Sequence, residues 1–68
     1  MIDHHGDEWL LANDAAARAR VTPVTIRSWV LRRKVSGHRI GGRLWVRMAD
    51  VLDAEHATRG RYVAQRRE

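Results

Sequence analysis

Thr25, Arg27, Ser28 and Arg32 crowd into one short segment, Val21-Thr22-Pro23-Val24-Thr25-Ile26-Arg27-Ser28-Trp29-Val30-Leu31-Arg32-Arg33-Lys34. A guanidinium can grip a pair of phosphate oxygens or make a bidentate contact with guanine O6 and N7, while a short hydroxyl reaches a phosphate or a thymine methyl. Both kinds of group have a plainer use: the arginines as phosphate clamps that read no sequence, the hydroxyls as donors back to a helix carbonyl. Their spacing says more than their types. At the helical repeat Ile26, Trp29, Val30 and the stem of Arg33 fall on one face, and Val24, Arg27, Ser28 and Leu31 on the other, with Thr25 and Arg32 on its flank. One side can be buried while the other offers cations, hydroxyls and small apolar groups, a chemistry suited to a helix lying in a DNA groove.

Catalysis has less to work with. The chain holds no cysteine, so neither a thiolate nucleophile, a disulfide nor a thiolate metal site can form. There are no paired carboxylates beside a histidine and no phosphate loop, and nothing orients Ser28 and His56 as a pair. His4 and His5 are adjacent but lack further ligands at metal-binding spacing. The sequence therefore predicts a protein that is not an enzyme, with no metal and no cofactor.

The formal charge of +5 is less informative than its distribution. From Ala15 to Arg47 there are nine cationic side chains, Arg18, Arg20, Arg27, Arg32, Arg33, Lys34, Arg39, Arg43 and Arg47, and no carboxylate. Asp3, Asp7, Glu8 and Asp14 precede this block, Asp50, Asp53 and Glu55 follow it, and Glu68 ends the chain. A surface built only for solubility mixes both signs, because like charges in a small fold repel. A one-signed middle is the footprint expected for a polyanion, with phosphate contacts supplying affinity through counterion release. At 68 residues the chain is one domain near the lower limit for folding alone. Its apolar runs fall far short of the about 20 residues a bilayer span needs, and no signal-peptide pattern opens it, so a soluble cytoplasmic protein is expected.

The elements that would hold these side chains can be placed in turn. Met1 to Glu8 lacks apolar periodicity and is expected to be a mobile terminus. Trp9 and Leu10 bring the first bulk, and the alanine-rich stretch from about Ala12 to Ala19 predicts a first helix with a small inner face of Ala15, Ala16 and Ala19. Arg20 and Val21 then leave a helix-turn-helix spacing before Thr22, which can cap the second helix with Pro23 at its first position. Beyond the loosening point at Ser36 and Gly37, a hairpin is expected. His38 to Ile40 and Leu44 to Arg47 form its strands about the turn Gly41-Gly42-Arg43. A two-residue turn would pair Ile40 with Arg43; a three-residue turn including Arg43 pairs Ile40 with Leu44, puts Val46 on that same inner face, and is the register preferred. The outer face then carries Arg39, Trp45 and Arg47, with Trp45 either contacting a partner between two guanidinium groups or packing under the helices. Val21, Ile26, Trp29, Ile40, Leu44 and Val46 are the expected core. Met48 to Ala57 predicts a third, structural helix with Met48, Val51 and Leu52 inward, and residues 58–68 a basic flexible tail that could follow phosphates or touch a neighbouring subunit.

In this order the chain resembles the small winged helix-turn-helix proteins of the MerR-like and excisionase group. The likeness rests on Ala15-Ala16, on Val21 to Trp29, on Ile40-Gly41-Gly42-Arg43 and on Ala49-Asp50-Val51, and covers about Trp9 to Ala57. It implies an α+β fold of three short helices with a two-stranded hairpin wing. It also implies a second helix in the major groove, with Thr25, Arg27 and Ser28 facing the groove, and Arg43 at the wing tip. The residues expected to touch DNA are thus Thr22, Val24, Thr25, Arg27, Ser28, Arg32, Arg39, Arg43 and Arg47. The chain departs from the family pattern at Leu11 and Ala12, where a capping hydroxyl is usual, and at Trp45, where a smaller or charged residue is more common. Arg20 and Arg33 stand where glycine is frequent in turns, and a positive φ there would cost an arginine about 1 kcal/mol or more.

The expected function is sequence-specific binding of double-stranded DNA by an excisionase-like recombination directionality factor that binds or bends attachment-site DNA. A small MerR-like transcriptional regulator without effector domain is the alternative. A reading of another class is an interaction module docking on an integrase or polymerase subunit through Trp45 and the tail. The resemblance further implies an integrase or head-to-tail copies of the chain as partners on DNA, with neither a membrane nor a small-molecule effector.

Overall fold

The computed structural model describes the backbone of residues 1–66 and the side chains of residues 1–59. In chain order its elements are β1 (Trp9–Leu11), α1 (Ala12–Ala19), α2 (Pro23–Leu31), β2 (Gly37–Ile40), β3 (Arg43–Arg47) and α3 (Met48–Arg66). The fold is α+β, three helices on a three-stranded antiparallel sheet in the order β1-β3-β2. The sheet thus has a strand more than the expected hairpin. Trp9, Leu10 and Leu11 pair with Arg47, Val46 and Trp45, which closes an edge of β3 that a two-stranded hairpin would leave open.

Local chemistry explains where α2 begins. The Thr22 hydroxyl accepts from the Thr25 N–H at 3.2 Å, and Pro23 occupies the first turn, where its missing donor leaves nothing unpaired. Both α1 and α2 end the same way. After α1, Val21 N–H donates to the Ala16 carbonyl and Arg20 N–H to that of Ala17. After α2, Lys34 N–H donates to Trp29 and Arg33 N–H to Val30, the same paired pattern that ends many helices on a left-handed residue. That residue is usually glycine. Here it is Arg20 and Arg33, each at φ 61°, so each turn holds an arginine at the strained position.

The hairpin corrects the expected register. Ile40 pairs with Arg43, Arg39 with Leu44, His38 with Trp45 and Gly37 with Val46, so the turn is the two-residue Gly41-Gly42. Both glycines have positive φ, 59° and 79°, the backbone that matches the right-handed twist of the flanking strands. Mixing Ile40 with Arg43 costs little because that end of the sheet faces water. Ile40 is consequently 51% exposed rather than in the core, and Arg39 shares the Leu44 face instead of the Trp45 face.

The core lies between the helices and the inner face of the sheet. Ala15, Ala16 and Ala19 of α1 meet Ile26 and Trp29 of α2, Val46 of β3, and Met48, Val51 and Ala54 of α3, with Val35 closing one end. Three alanines bury little area but let α2 approach closely, and Leu10, Val21, Val30 and Leu44 fill the margin. Leu52, expected inward, is exposed. β2 brings no large apolar side chain to this face. A Cβ on Gly37 would stand 3.0 Å from Val30 Cγ1 and 3.2 Å from Leu44 Cδ1, so the missing carbon lets the strand sit this close to α2 without displacing either side chain.

Both ends are more structured than expected. Met1 to Glu8 folds back in a turn: Asp3 accepts from the Asp7 and His5 N–H groups, and Ile2 bridges to Glu8. Trp9 Nε1–H donates to Asp3 at 2.8 Å, which together with the two backbone donors holds the Asp3 carboxyl below its ordinary range. At the other end α3 runs past Ala57 to Arg66, so most of the expected flexible tail is helical. The contacts foreseen for Arg61, Tyr62, Val63, Arg66 and Arg67 lie outside the described side chains. Among the described residues no helix is long and apolar enough to cross a membrane.

Candidate nucleic-acid interface

Three arginines from separate parts of the chain line one open cleft of about 430 Å3. Arg27 comes from α2, Arg39 from β2, and Arg43 from the first position of β3. The far wall is the start of α1, Leu11 to Asp14, with Gly42 and Leu44 completing the rim. Leu11 is the N-cap of α1 and offers no side-chain acceptor, while Asp14 in the first turn complements the positive end of the helix dipole. Among the described residues Asp14 is the only carboxylate lining the cleft.

On α2 the expected division of faces is present, with one refinement. Ile26 and Trp29 are buried, Arg27 is exposed and Ser28 half-buried, while Val24 projects into solvent. The Thr22 and Thr25 hydroxyls are engaged with each other at the helix start. The two oxygens lie 2.9 Å apart and the Thr22 oxygen also caps the helix, so both serve the helix start before any ligand. Arg32, just past α2, is exposed.

Arg47, one of the expected DNA contacts, is paired within the fold. Its guanidinium is half-buried and reaches Asp7 at 3.3 Å and Asp50 at 3.4 Å, while Asp50 also accepts the Ser36 N–H. These bonds tie the N-terminal turn, β3, α3 and the segment before β2 together. Arg18 is likewise paired with Glu8, and Arg59 with Glu55. Among the described residues Arg20, Arg27, Arg32, Arg33, Lys34, Arg39 and Arg43 make no ion pair. Sequence reasoning passed over Arg33 and Lys34 as contacts, and passed over the α1 N-terminus.

Trp45 is half-buried on the face of the sheet away from the helices. It does not pack under the helices, and of the two guanidinium groups expected beside it, the register moves Arg39 to the other face while Arg47 pairs with Asp7 and Asp50. Its cross-strand neighbour is His38, whose ring centroid lies 5.2 Å from that of Trp9. Met1, Asp3, Trp9, His38, Ile40 and Trp45 line a small apolar hollow of about 200 Å3 there. Comparison with protein-family models, with curated proteins and with solved structures finds no match.

Proposed function

We propose that this chain binds double-stranded DNA sequence-specifically through a winged helix-turn-helix. In that reading α1 and α2 are the helix pair, α2 enters the major groove, and the β2–β3 hairpin is the wing. The observation that carries it is the one cleft lined by Arg27, Arg39 and Arg43, since three separate stretches of chain there present guanidinium groups to one open space. Arg27 supplies base or phosphate contacts, Arg39 and Arg43 follow the backbone beside the helix, and Arg32, Arg33 and Lys34 extend the cationic edge. The role best suited to so small a binding unit is that of an excisionase-like directionality factor on attachment-site DNA, working beside an integrase or in head-to-tail copies. Transcriptional regulation uses the same contacts.

Salt dependence is the direct test. With four to six phosphates neutralised, log K should fall against log salt with a slope of roughly −4 to −5. A flat response, or no binding to any duplex, removes the proposal. That result would favour the interaction-module reading, for which the hollow beside Trp45 and Ile40 is the specific observation.

A further inference from the structure

The outward arc of α2 contains two side chains that phosphate binding does not explain. Val24 is 65% exposed and Leu31 84% exposed, and both flank the Arg27 side of the helix, opposite Ile26 and Trp29. Leaving two branched apolar groups in water gives no stability, and both lie on the one arc of the helix that also carries Arg27. The surroundings indicate what covers it. Arg27 shares the arc, Arg32, Arg33 and Lys34 follow directly, and α2 carries no carboxylate, so the partner is polyanionic with apolar points set inside it. A DNA major groove is such a surface, because each thymine projects a C5 methyl between acceptor-rich phosphate walls.

The missing residue types narrow this further. From Ala15 to Arg47 the chain has no asparagine, glutamine, aspartate or glutamate. Bidentate recognition of adenine calls for an amide, and a carboxylate is the strong acceptor from cytosine N4. Neither is available to α2, whose Ser28 hydroxyl can contact several bases without choosing among them. The selective contacts left are to guanine, through Arg27, and to thymine, through aliphatic contact. Val24 and Leu31 are seven positions apart, about 10 Å along the helix axis, or about three base steps.

We infer that Val24 and Leu31 recognise the 5-methyl groups of two thymines about three base steps apart, with Arg27 on a guanine between them. The inference rests on the DNA reading and names the bases that reading would select.

The test begins by enriching duplexes from a random-sequence pool with the full chain, then remaking the enriched duplex with deoxyuridine in place of thymidine, which removes only the methyl. Each contacted methyl lost should weaken binding about fourfold, and two about fifteenfold. Val24→Ala and Leu31→Ala, both at exposed helix positions, should remain folded by circular dichroism, and each should lose its share of the thymine-over-uracil preference. Equal binding of thymine and uracil duplexes by the unaltered chain overturns the inference and leaves DNA binding intact. So does a preference that persists in the double variant, which would place it in DNA shape. Failure to enrich any duplex removes the DNA reading, and this inference with it. Concentration-dependent self-association abolished by Leu31→Ala, without change in uracil discrimination, assigns the arc to a protein contact and also overturns it.

Discussion

Arg43 and Arg47 sit four positions apart on the same strand and the same face of one sheet, yet their surroundings differ completely. Arg47 is held between Asp7 and Asp50 and joins segments 40 residues apart in sequence, while Arg43 stands beside the open cleft with no carboxylate partner. A cation's availability is set by where the acids fold, not by how many cations the segment contains. The acid-free block from Ala15 to Arg47 looks uniform in sequence. Its last member is neutralised by acids lying on either side of the block.

The difference can be broken most forcefully at Arg47. Arg47→Ala should destabilise the domain by about 1 to 3 kcal/mol, since it strands two partly buried carboxylates, and urea unfolding measures this directly. DNA affinity of the folded protein should change little. The reverse outcome, full stability with lost binding, would exchange the roles assigned to the two arginines. Arg43→Ala is the counterpart: stability within about 0.5 kcal/mol of the parent, affinity lower by roughly threefold to tenfold, and a salt slope smaller by about 0.9.

Arg20 and Arg33 sharpen the comparison, being unpaired cations in left-handed backbone. Arg33→Gly relieves about 1 to 2 kcal/mol of steric cost, offset by about 0.4 to 1 from the greater freedom of glycine in the unfolded chain. Thermal unfolding should therefore show a net gain of about 0.5 to 1 kcal/mol at either position. If Arg33→Gly gains stability while weakening DNA binding, the strained arginine is kept for its charge.

The smallest effect is expected from acid. Asp3 has its carboxyl held below the ordinary 3.8 by the Trp9 indole N–H first and by backbone donors after it. A depressed folded value contributes stability that is present above the ordinary value and lost as pH falls through the folded one. The N-terminal turn should thus loosen only below about pH 4, seen as movement of the Trp9 Nε1–H resonance in NMR spectra. Because Asp7 lies in that turn, Arg47 should respond and Arg43 should not.

What the sequence made legible was local. Thr22-Pro23 announced the start of α2, the alanine run gave α1, and the glycine pair placed the hairpin, because each of those signals acts within one turn of chain. What it hid was distant or conformational. Trp9–Leu11 is three residues long, and its pairing with β3 is visible only once the fold brings them together. The hairpin register turned on both glycines taking positive φ, and an inward preference for Ile40 outweighed that in the reading. The pairing of Arg47 with Asp7 and Asp50 came from the fold, although Asp50 lies only three positions on across the strand-to-helix junction. On the candidate site, Arg27, Arg39 and Arg43 were named from charge and position, whereas the wall formed by the α1 N-terminus came from the fold alone.

The contact at Gly37 sets a dimension. β2 lies against Val30 of α2 so closely that one more carbon would push that neighbour by a few tenths of an ångström, and Val30 is β-branched, so its side chain does not swing aside cheaply. The contact acts as a stop that limits how near helix and hairpin approach. On the proposed reading, that limit bears on the groove width the two elements can span together. Gly37→Ala would reset the stop by a few tenths of an ångström, and with it the shape of DNA the pair could close on.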